Sequence, residues 1–202
     1  MFYGLAKLSA AGIPTIAVLH GLSTAGGAYQ PGMSDYVIGV KKNGMAALAG
    51  PALLKAATGE IAKNEELGGS EMHSRVTGLV EYLADDDAHA IEIVRDLINK
   101  IDWNSKILKR ESIKFQEPIY DCGEIIGVVP IDYKVPYDVR ELIARIVDGS
   151  DFMDFKPQYG VSTVCVHTKI NGFACGIIGN NGPIDPNGAT KSAQFIQLCD
   201  QS

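Results

Sequence analysis

Apolar residues in this chain fall into runs of three kinds, and each kind predicts a different element. Phe2, Leu5 and Leu8 recur at helical spacing ahead of Gly12 and Pro14, which predicts a helix over residues 2–11 stopped by the glycine. Residues 13–19 are almost wholly apolar. A short run without alternation predicts a strand covered on both faces, as in a parallel sheet between helices. It runs on to Gly26-Gly27, read as the start of a helix. Backbone N–H groups at a helix start have no intrahelical partner and carry the positive end of the dipole, so they suit an oxyanion or another anion. Residues 36–40 and 45–48 read as strands around the turn signal Lys41-Lys42-Asn43-Gly44, and Gly50-Pro51 opens a helix to about residue 58.

Farther on, Asp85-Asp86-Asp87 caps an amphipathic helix with Ile91, Val94, Leu97, Ile98 and Ile101 on one face. Glu92, Arg95, Asp96 and Asn99 form its solvated face. Periodicity then stops. Residues 104–116 turn polar and basic (Lys106, Lys109, Arg110, Lys114) with Pro118 following, which marks an interdomain linker. A second unit begins near residue 117. Asp138 caps a helix carrying Val139, Leu142, Ile143 and Ile146, ended by Asp148-Gly149. Asn171-Gly172, between apolar runs at 161–170 and 173–178, signals a hairpin. A last helix from residue 189 carries Phe195, Ile196 and Cys199 and is still running at Ser202, so the second unit reads as truncated. The pattern as a whole is α/β.

Composition narrows the function. At 202 residues and 46% hydrophobic, the chain can bury a sizeable core. A formal net charge of −6, with scattered Lys and Arg, offers no footprint for nucleic acid. Cys122, Cys165, Cys175 and Cys199 form no CxxC pair and no zinc-finger spacing with a His. They read as small buried apolar residues in a reducing compartment, with no disulfide and no structural metal expected. The N-terminus lacks a basic stretch ahead of a long apolar one, so neither a signal peptide nor a membrane span is expected, and the chain reads as intracellular.

Most chemical motifs fail on inspection. Gly21-Leu-Ser-Thr-Ala25 departs from G-x-S-x-G at Ala25, and no Asp or His pattern completes a triad, so Ser23 is not read as a nucleophile. Gly176-Ile-Ile-Gly179-Asn-Asn-Gly182 lacks dinucleotide-binding spacing and reads as a tight turn leaving a strand. Phosphate loops, zinc-protease helices and calcium loops are absent from the sequence. His20 stands at the C-terminal end of the apolar strand, where open α/β sheets bind ligands, yet alone it reads as a hydrogen-bonded structural residue. His73 reads as a surface contact, and His89 and His167 are assigned no role.

Several longer segments carry a resemblance. They are Ser23-Thr-Ala-Gly-Gly-Ala-Tyr-Gln-Pro-Gly-Met33, Leu48-Ala-Gly-Pro-Ala-Leu-Leu-Lys-Ala-Ala-Thr-Gly-Glu60, Glu66-Leu-Gly-Gly-Ser-Glu-Met-His73, the run from Asp138 to Ser150, and Phe195-Ile-Gln-Leu-Cys199. In this order they resemble the carboxyltransferase (β) subunit of biotin-dependent acyl-CoA carboxylases, within it the methylcrotonoyl-CoA and geranyl-CoA branch. The resemblance covers essentially the whole chain.

It implies a crotonase-like ββα superhelix and parts of two tandem domains. Residues 1–103 would be the later part of the first, 104–116 the linker and 117–202 the early part of the second. The chain would thus be an internal piece of a longer subunit, with the second oxyanion hole beyond it. The implied reaction moves CO2 from carboxybiotin, held on a partner subunit, to a 3-methyl-2-enoyl-CoA. Gly26 and Gly27 would be catalytic, holding the acyl-CoA enolate through their N–H groups, and Ala25, Ala28, Ala47 and Gly50 would bind the substrate. Small Ala46 and Ala47 lean toward a long, geranyl-like acyl chain, and Ala52 departs from the family's usual Gly-Pro-Pro. The implied partners are a biotin carboxylase and biotin-carrier α subunit and further β subunits, in the cytoplasm or, in a eukaryote, the mitochondrial matrix. Two alternatives stand beside this reading: a noncatalytic fragment that serves as an assembly partner, and a biotin-dependent acyl-CoA decarboxylase subunit.

Overall fold

A computed structural model describes residues 2–101, 114–132 and 134–201. The chain divides into two compact units, residues 1–96 and 97–200. Most of the expected linker, residues 104–113, lies outside the described residues, and residues 114–116 carry neither helix nor strand.

The first unit opens with helix α1 (Phe2–Ala10), and Gly12 stops it at φ +69°, a left-handed conformation that glycine adopts without a Cβ clash. Strand β1 (Ile16–Leu19) starts three residues later than the apolar run. The cause is local: Pro14 has no amide to donate, and the Thr15 amide and hydroxyl both donate to Asp35 Oδ2 at 2.7 Å. Strand β2 (Leu22–Thr24) follows, then a single 3-10 turn over Ala25–Gly27 and a four-residue helix α2 (Tyr29–Gly32). The expected direct passage from buried strand to helix is therefore replaced by a short second strand and a turn.

Strands β3 (Tyr36–Val40) and β4 (Met45–Ala47) stand where the apolar pattern places them, and α3 (Pro51–Thr58) runs from Gly50 to Gly59. After α4 (Asn64–Gly68) and the short α5 (Ser70–Met72) comes β5 (Tyr82–Ala84), then α6 (Asp87–Lys100). The two strands flanking Lys41-Lys42-Asn43-Gly44 are not a hairpin. β3 pairs in parallel with β1 and β5 in a sheet of order β1-β3-β5, while β4 pairs in parallel with β2. Cover on both faces belongs to the central strand β3, buried at all five residues, whereas the edge strand β1 is buried only at Leu19.

Helix α6 is capped by Asp86, whose carboxylate accepts from the His89 amide at 2.8 Å. Its buried line is Ala90, Leu97 and Ile101, with Val94 half-buried, while Ile91 and Ile98 are exposed at 49% and 46%. The inward stripe is thus narrower than the apolar pattern suggests.

In the second unit, α7 (Ile125–Val128) precedes α8 (Val139–Ile143), whose first-turn Arg140 amide donates to Asp138 at 3.0 Å. Strands β6 (Phe152–Phe155), β7 (Thr163–Ile170) and β8 (Phe173–Asn180) form an antiparallel sheet with β7 central. β6 lacked a sequence signal of its own. The hairpin at Asn171-Gly172 has φ of +52° and +79°, the paired left-handed residues of a tight turn, and Asp148 accepts both their amides. Val164 and Val166 pack with Ile143 and Val147, while Cys165 and His167 face α9 (Pro186–Gln201).

The glycine-rich run is not a turn at its first two glycines. Gly176 and Gly179 lie inside β8, where a Cβ would crowd Phe195 of α9 at one and Val139 of α8 at the other. Helix α9 begins at Pro186, earlier than expected, because the Asp185 carboxylate accepts from the Gly188 amide at 2.6 Å and caps it. Cys122 corrects the reading of four buried thiols: it is exposed, whereas Cys165 is buried and Cys175 and Cys199 are half-buried.

Candidate active site

The glycine pair is held by backbone geometry. Thr24 is extended at φ −118°, ψ 157°, and Ala28 has already reached helical angles at φ −67°, ψ −20°. Between them Ala25 turns the chain at φ +50°, a left-handed conformation that costs a non-glycine residue about 1 kcal/mol. The turn closes with the Ala28 amide on the Ala25 carbonyl at 3.1 Å. Gly26 is exposed and a Cβ there would meet open space, whereas at Gly27 it would stand 3.1 Å from Ser23 Oγ. The Cα of Gly26 therefore faces open space in the direction a side chain would take.

Beside this turn is a cavity of about 430 Å3. Four alanines (Ala28, Ala46, Ala47, Ala49) and four leucines (Leu48, Leu54, Leu67, Leu79) line it, with His73 as the one polar side chain among these lining residues. That volume falls in the range of small-molecule sites, and a wall this apolar suits a hydrocarbon chain. Of the expected substrate residues, Ala28 and Ala47 line the cavity. Gly50 is the N-cap of α3 next to Ala49, and Ala25, Gly26 and Gly27 lie on the turn leading to Ala28. The sequence reading missed Leu54, Leu67, Leu79 and His73, which arrive from four separate segments. Leu54, Leu67 and His73 had a usable signal, since they lie in the segments Leu48–Glu60 and Glu66–His73 already singled out; Leu79 had none.

The segment around residues 68–73 holds β4 on the edge away from β2. Gly69 bridges Met45, and the Ser70 amide and hydroxyl donate to the Gly44 carbonyl at 2.9 and 3.0 Å. Gly68 lies so close to the Ala46 carbonyl that a Cβ would overlap it. His73 is half-buried, with Nε2 2.8 Å from the Ala46 carbonyl and Nδ1 2.8 Å from Thr77 Oγ1. It is therefore a contact inside the fold rather than a surface one.

The other histidines lie away from this cavity. His20 is exposed, 3.9 Å from Asp87. His89 accepts the Asp85 amide at 3.1 Å through Nδ1. His167 is buried in the second unit between Phe155 and Phe195, and burial pushes it down to about 4. Burial likewise pushes the Cys199 thiol up to about 11 and raises Cys165 and Cys175, so these three remain protonated rather than nucleophilic thiolates. Among the described residues no group of three or more His, Cys, Asp or Glu is placed to hold a metal ion. Among them, too, no helix is long and apolar enough to cross a membrane.

Comparison with known proteins identifies the family. The carboxyl transferase domain family matches residues 1–202. A probable biotin-dependent acyl-coenzyme A carboxylase β2 subunit of Mycobacterium tuberculosis is 47% identical over 203 residues, covering 100% of this chain and 38% of that protein. A probable mitochondrial methylcrotonoyl-CoA carboxylase β chain of Drosophila melanogaster is 44% identical over 216 residues, covering 100% and 37%. Transcarboxylase 12S, solved as a hexamer with hydrolysed methylmalonyl-coenzyme A bound, superposes with a TM-score of 0.87 at 34% identity, covering 99% of this chain and 40% of that one. The chain thus spans about two fifths of the length of these relatives. Its α/β architecture is the crotonase-like fold of such enzymes. A match along its whole length to the carboxyl transferase model, with a relative of known structure sharing its fold, places this chain in the carboxyl transferase family of the biotin-dependent acyl-CoA carboxylases.

Proposed function

We propose that the protein carrying this chain transfers a carboxyl group to a branched 2-enoyl-CoA, and that residues 1–96 supply its acyl site. Biotin on a partner subunit supplies the activated carboxyl group. The observation that carries the reading is the adjacency of an open glycine turn and a cavity walled by alanines and leucines. In this site the thioester carbonyl faces the amides of Gly26 and Gly27, and the acyl chain lies along Ala28, Ala47 and Leu54. Charge gathers on the thioester oxygen when a proton leaves the γ methyl group, since the double bond conjugates the two positions. Preorganised backbone donors then stabilise the enolate more than the neutral thioester, each worth about 3 to 4 kcal/mol in comparable oxyanion holes.

The small side chains at Ala46 and Ala47 favour a long acyl group, of the geranyl type, over a short one. Relatives named as methylcrotonoyl-CoA carboxylase β chains support the branched-enoyl class. A cytoplasmic setting, or the mitochondrial matrix in a eukaryote, follows from the same reading. The test is incorporation of radiolabelled bicarbonate by the full-length subunit assembled with its biotin-bearing partner. Geranyl-CoA, methylcrotonoyl-CoA and propionyl-CoA are offered in turn, and the expected order of kcat/KM is the order given. Preference for propionyl-CoA would remove the branched-enoyl assignment. Release of CO2 from a carboxylated thioester without forward incorporation would make the protein a decarboxylase subunit, and no turnover in either direction would leave it as an assembly partner.

A further inference from the structure

The clamp on β4 ends in a side chain to which no function has been given. We propose that His73 is a positioning residue of the acyl site, setting the Gly26-Gly27 turn through β4; the inference rests on the carboxyltransferase reading above.

The argument starts from donor and acceptor chemistry. A carbonyl oxygen only accepts, so the 2.8 Å contact between Nε2 and the Ala46 carbonyl requires the proton to sit on Nε2. Nδ1 meets the Thr77 hydroxyl at 2.8 Å, and that hydroxyl also bonds the His73 carbonyl at 3.3 Å. Both ring nitrogens are engaged by partners within the fold. What His73 offers is location.

Ala46 is the middle residue of β4 and pairs in register with Ser23, while Ala47 pairs with Thr24. Thr24 is the last residue before the left-handed Ala25, so any shift of β4 passes through β2 directly into the turn carrying Gly26 and Gly27. β4 has only three residues, and its hydrogen-bonded neighbours among the described residues are β2 on one side and the segment of Gly68, Gly69, Ser70 and His73 on the other. Gly68 can only press against the Ala46 carbonyl, whereas His73 bonds it. The same ring also faces the cavity. One side chain therefore ties the cavity wall to the strand that aims the glycine amides, and oxyanion donors work only when they are aimed to within a fraction of an ångström.

The experiment compares His73→Ala and His73→Gln in the full-length subunit assembled with its biotin-bearing partner. It reads kcat, KM for the acyl-CoA, melting temperature, and hydrogen exchange of the peptide spanning residues 24–28. His73→Ala should lower kcat roughly tenfold to a hundredfold, the scale of a small misplacement at a reacting centre, with a smaller change in KM and faster exchange of that peptide. The side-chain amide of His73→Gln can donate to the same carbonyl and should recover most of kcat and of the protection. A residue serving stability alone would lower the melting temperature and leave kcat per assembled enzyme unmoved.

Thus a folded His73→Ala enzyme with kcat within about twofold of wild type and unaltered exchange would overturn the inference. So would a folded His73→Gln as impaired as His73→Ala. Should His73→Ala fail to assemble, Thr77→Val, which removes the Nδ1 partner together with that hydroxyl's bonds to the Leu79 amide and the His73 carbonyl, is read the same way, and unchanged kcat and exchange there would overturn it. Failure of the wild-type enzyme to carboxylate any acyl-CoA would instead strike the functional reading, so the two failures are separable.

Discussion

The two compact units differ in which charged side chains they bury: one carboxylate, Glu81, on the Val37 amide in the first, and basic side chains in the second. In residues 1–96 the groups proposed for chemistry are backbone amides on an exposed turn, beside a cavity of alanine and leucine side chains. In residues 97–200 charged and titratable side chains are drawn inside: Lys191 is 1% exposed, His167 4% and Lys156 5%. Each has a fixed place. Lys191 donates to the Thr163 carbonyl at 2.7 Å, Lys156 to Gln194 at 2.6 Å beneath the Phe155 and Tyr159 rings, and His167 lies against Phe155 and Phe195. The lesson is that burial of a charged side chain does not mark the proposed site, which lies at an unremarkable glycine pair. Substitutions at the glycine turn and its cavity should register in turnover, and those at His167 and Asp138 in stability.

The sharpest break of that contrast is Gly27→Val. Its Cβ would stand 3.1 Å from Ser23 Oγ, and its two methyl groups would crowd the turn beside the Gly26 and Gly27 amides. Carboxylation by the full-length enzyme should fall by about two to three orders of magnitude, the loss of one oxyanion donor, with the melting temperature nearly unchanged. Normal turnover in that variant would remove the site from the glycine pair.

Acidification should act on the second unit. His167 is held neutral by burial, its value lowered from 6.5 to about 4, so the unfolded chain binds a proton that the folded one does not. Stability from this residue is intact above pH 6.5 and is lost as pH falls toward about 4, by at most about 3 kcal/mol. Urea unfolding of wild type and His167→Phe at pH 7 and pH 4.5 should show the smaller acid loss in the variant. Equal losses would mean that His167 is not the titrating group.

A third comparison stays in the cavity. Ala47→Phe fills space next to Leu48 and Ala49, and should shift kcat/KM from long toward short acyl-CoAs by about 2 kcal/mol. An unchanged chain-length preference would detach the cavity from the acyl group. The smallest effect concerns the start of α8. There Asp138 accepts the Arg140 amide and the Asn181 side chain at 3.0 Å, and its carboxyl is held below the usual range although burial opposes this. Asp138→Ala should cost about 1 to 2 kcal/mol in chemical denaturation and leave turnover of assembled enzyme unaltered. A loss of turnover without a loss of stability would blur the division between the units.

Much of this molecule was legible from residue order, because the signals are local. Gly12, Pro51 with Gly59, Asp138 and Asn171-Gly172 act on the backbone next to them, so α1, α3, α8 and the β7–β8 hairpin follow from covalent geometry and capping. The resemblance likewise pointed to Ala28 and Ala47, which line the cavity. What tertiary structure alone decided is which strands pair and which residues meet. Lys41–Gly44 looks like a hairpin turn, yet β3 and β4 join separate parallel sheets, since pairing depends on partners tens of residues away. Ile91 and Ile98 match the helical stripe of α6 and still face outward, because burial is set by what packs against a helix, not by its own pattern. Leu54, Leu67, His73 and Leu79 converge on one cavity for the same reason: chain folding supplies their proximity, and no spacing in the sequence records it.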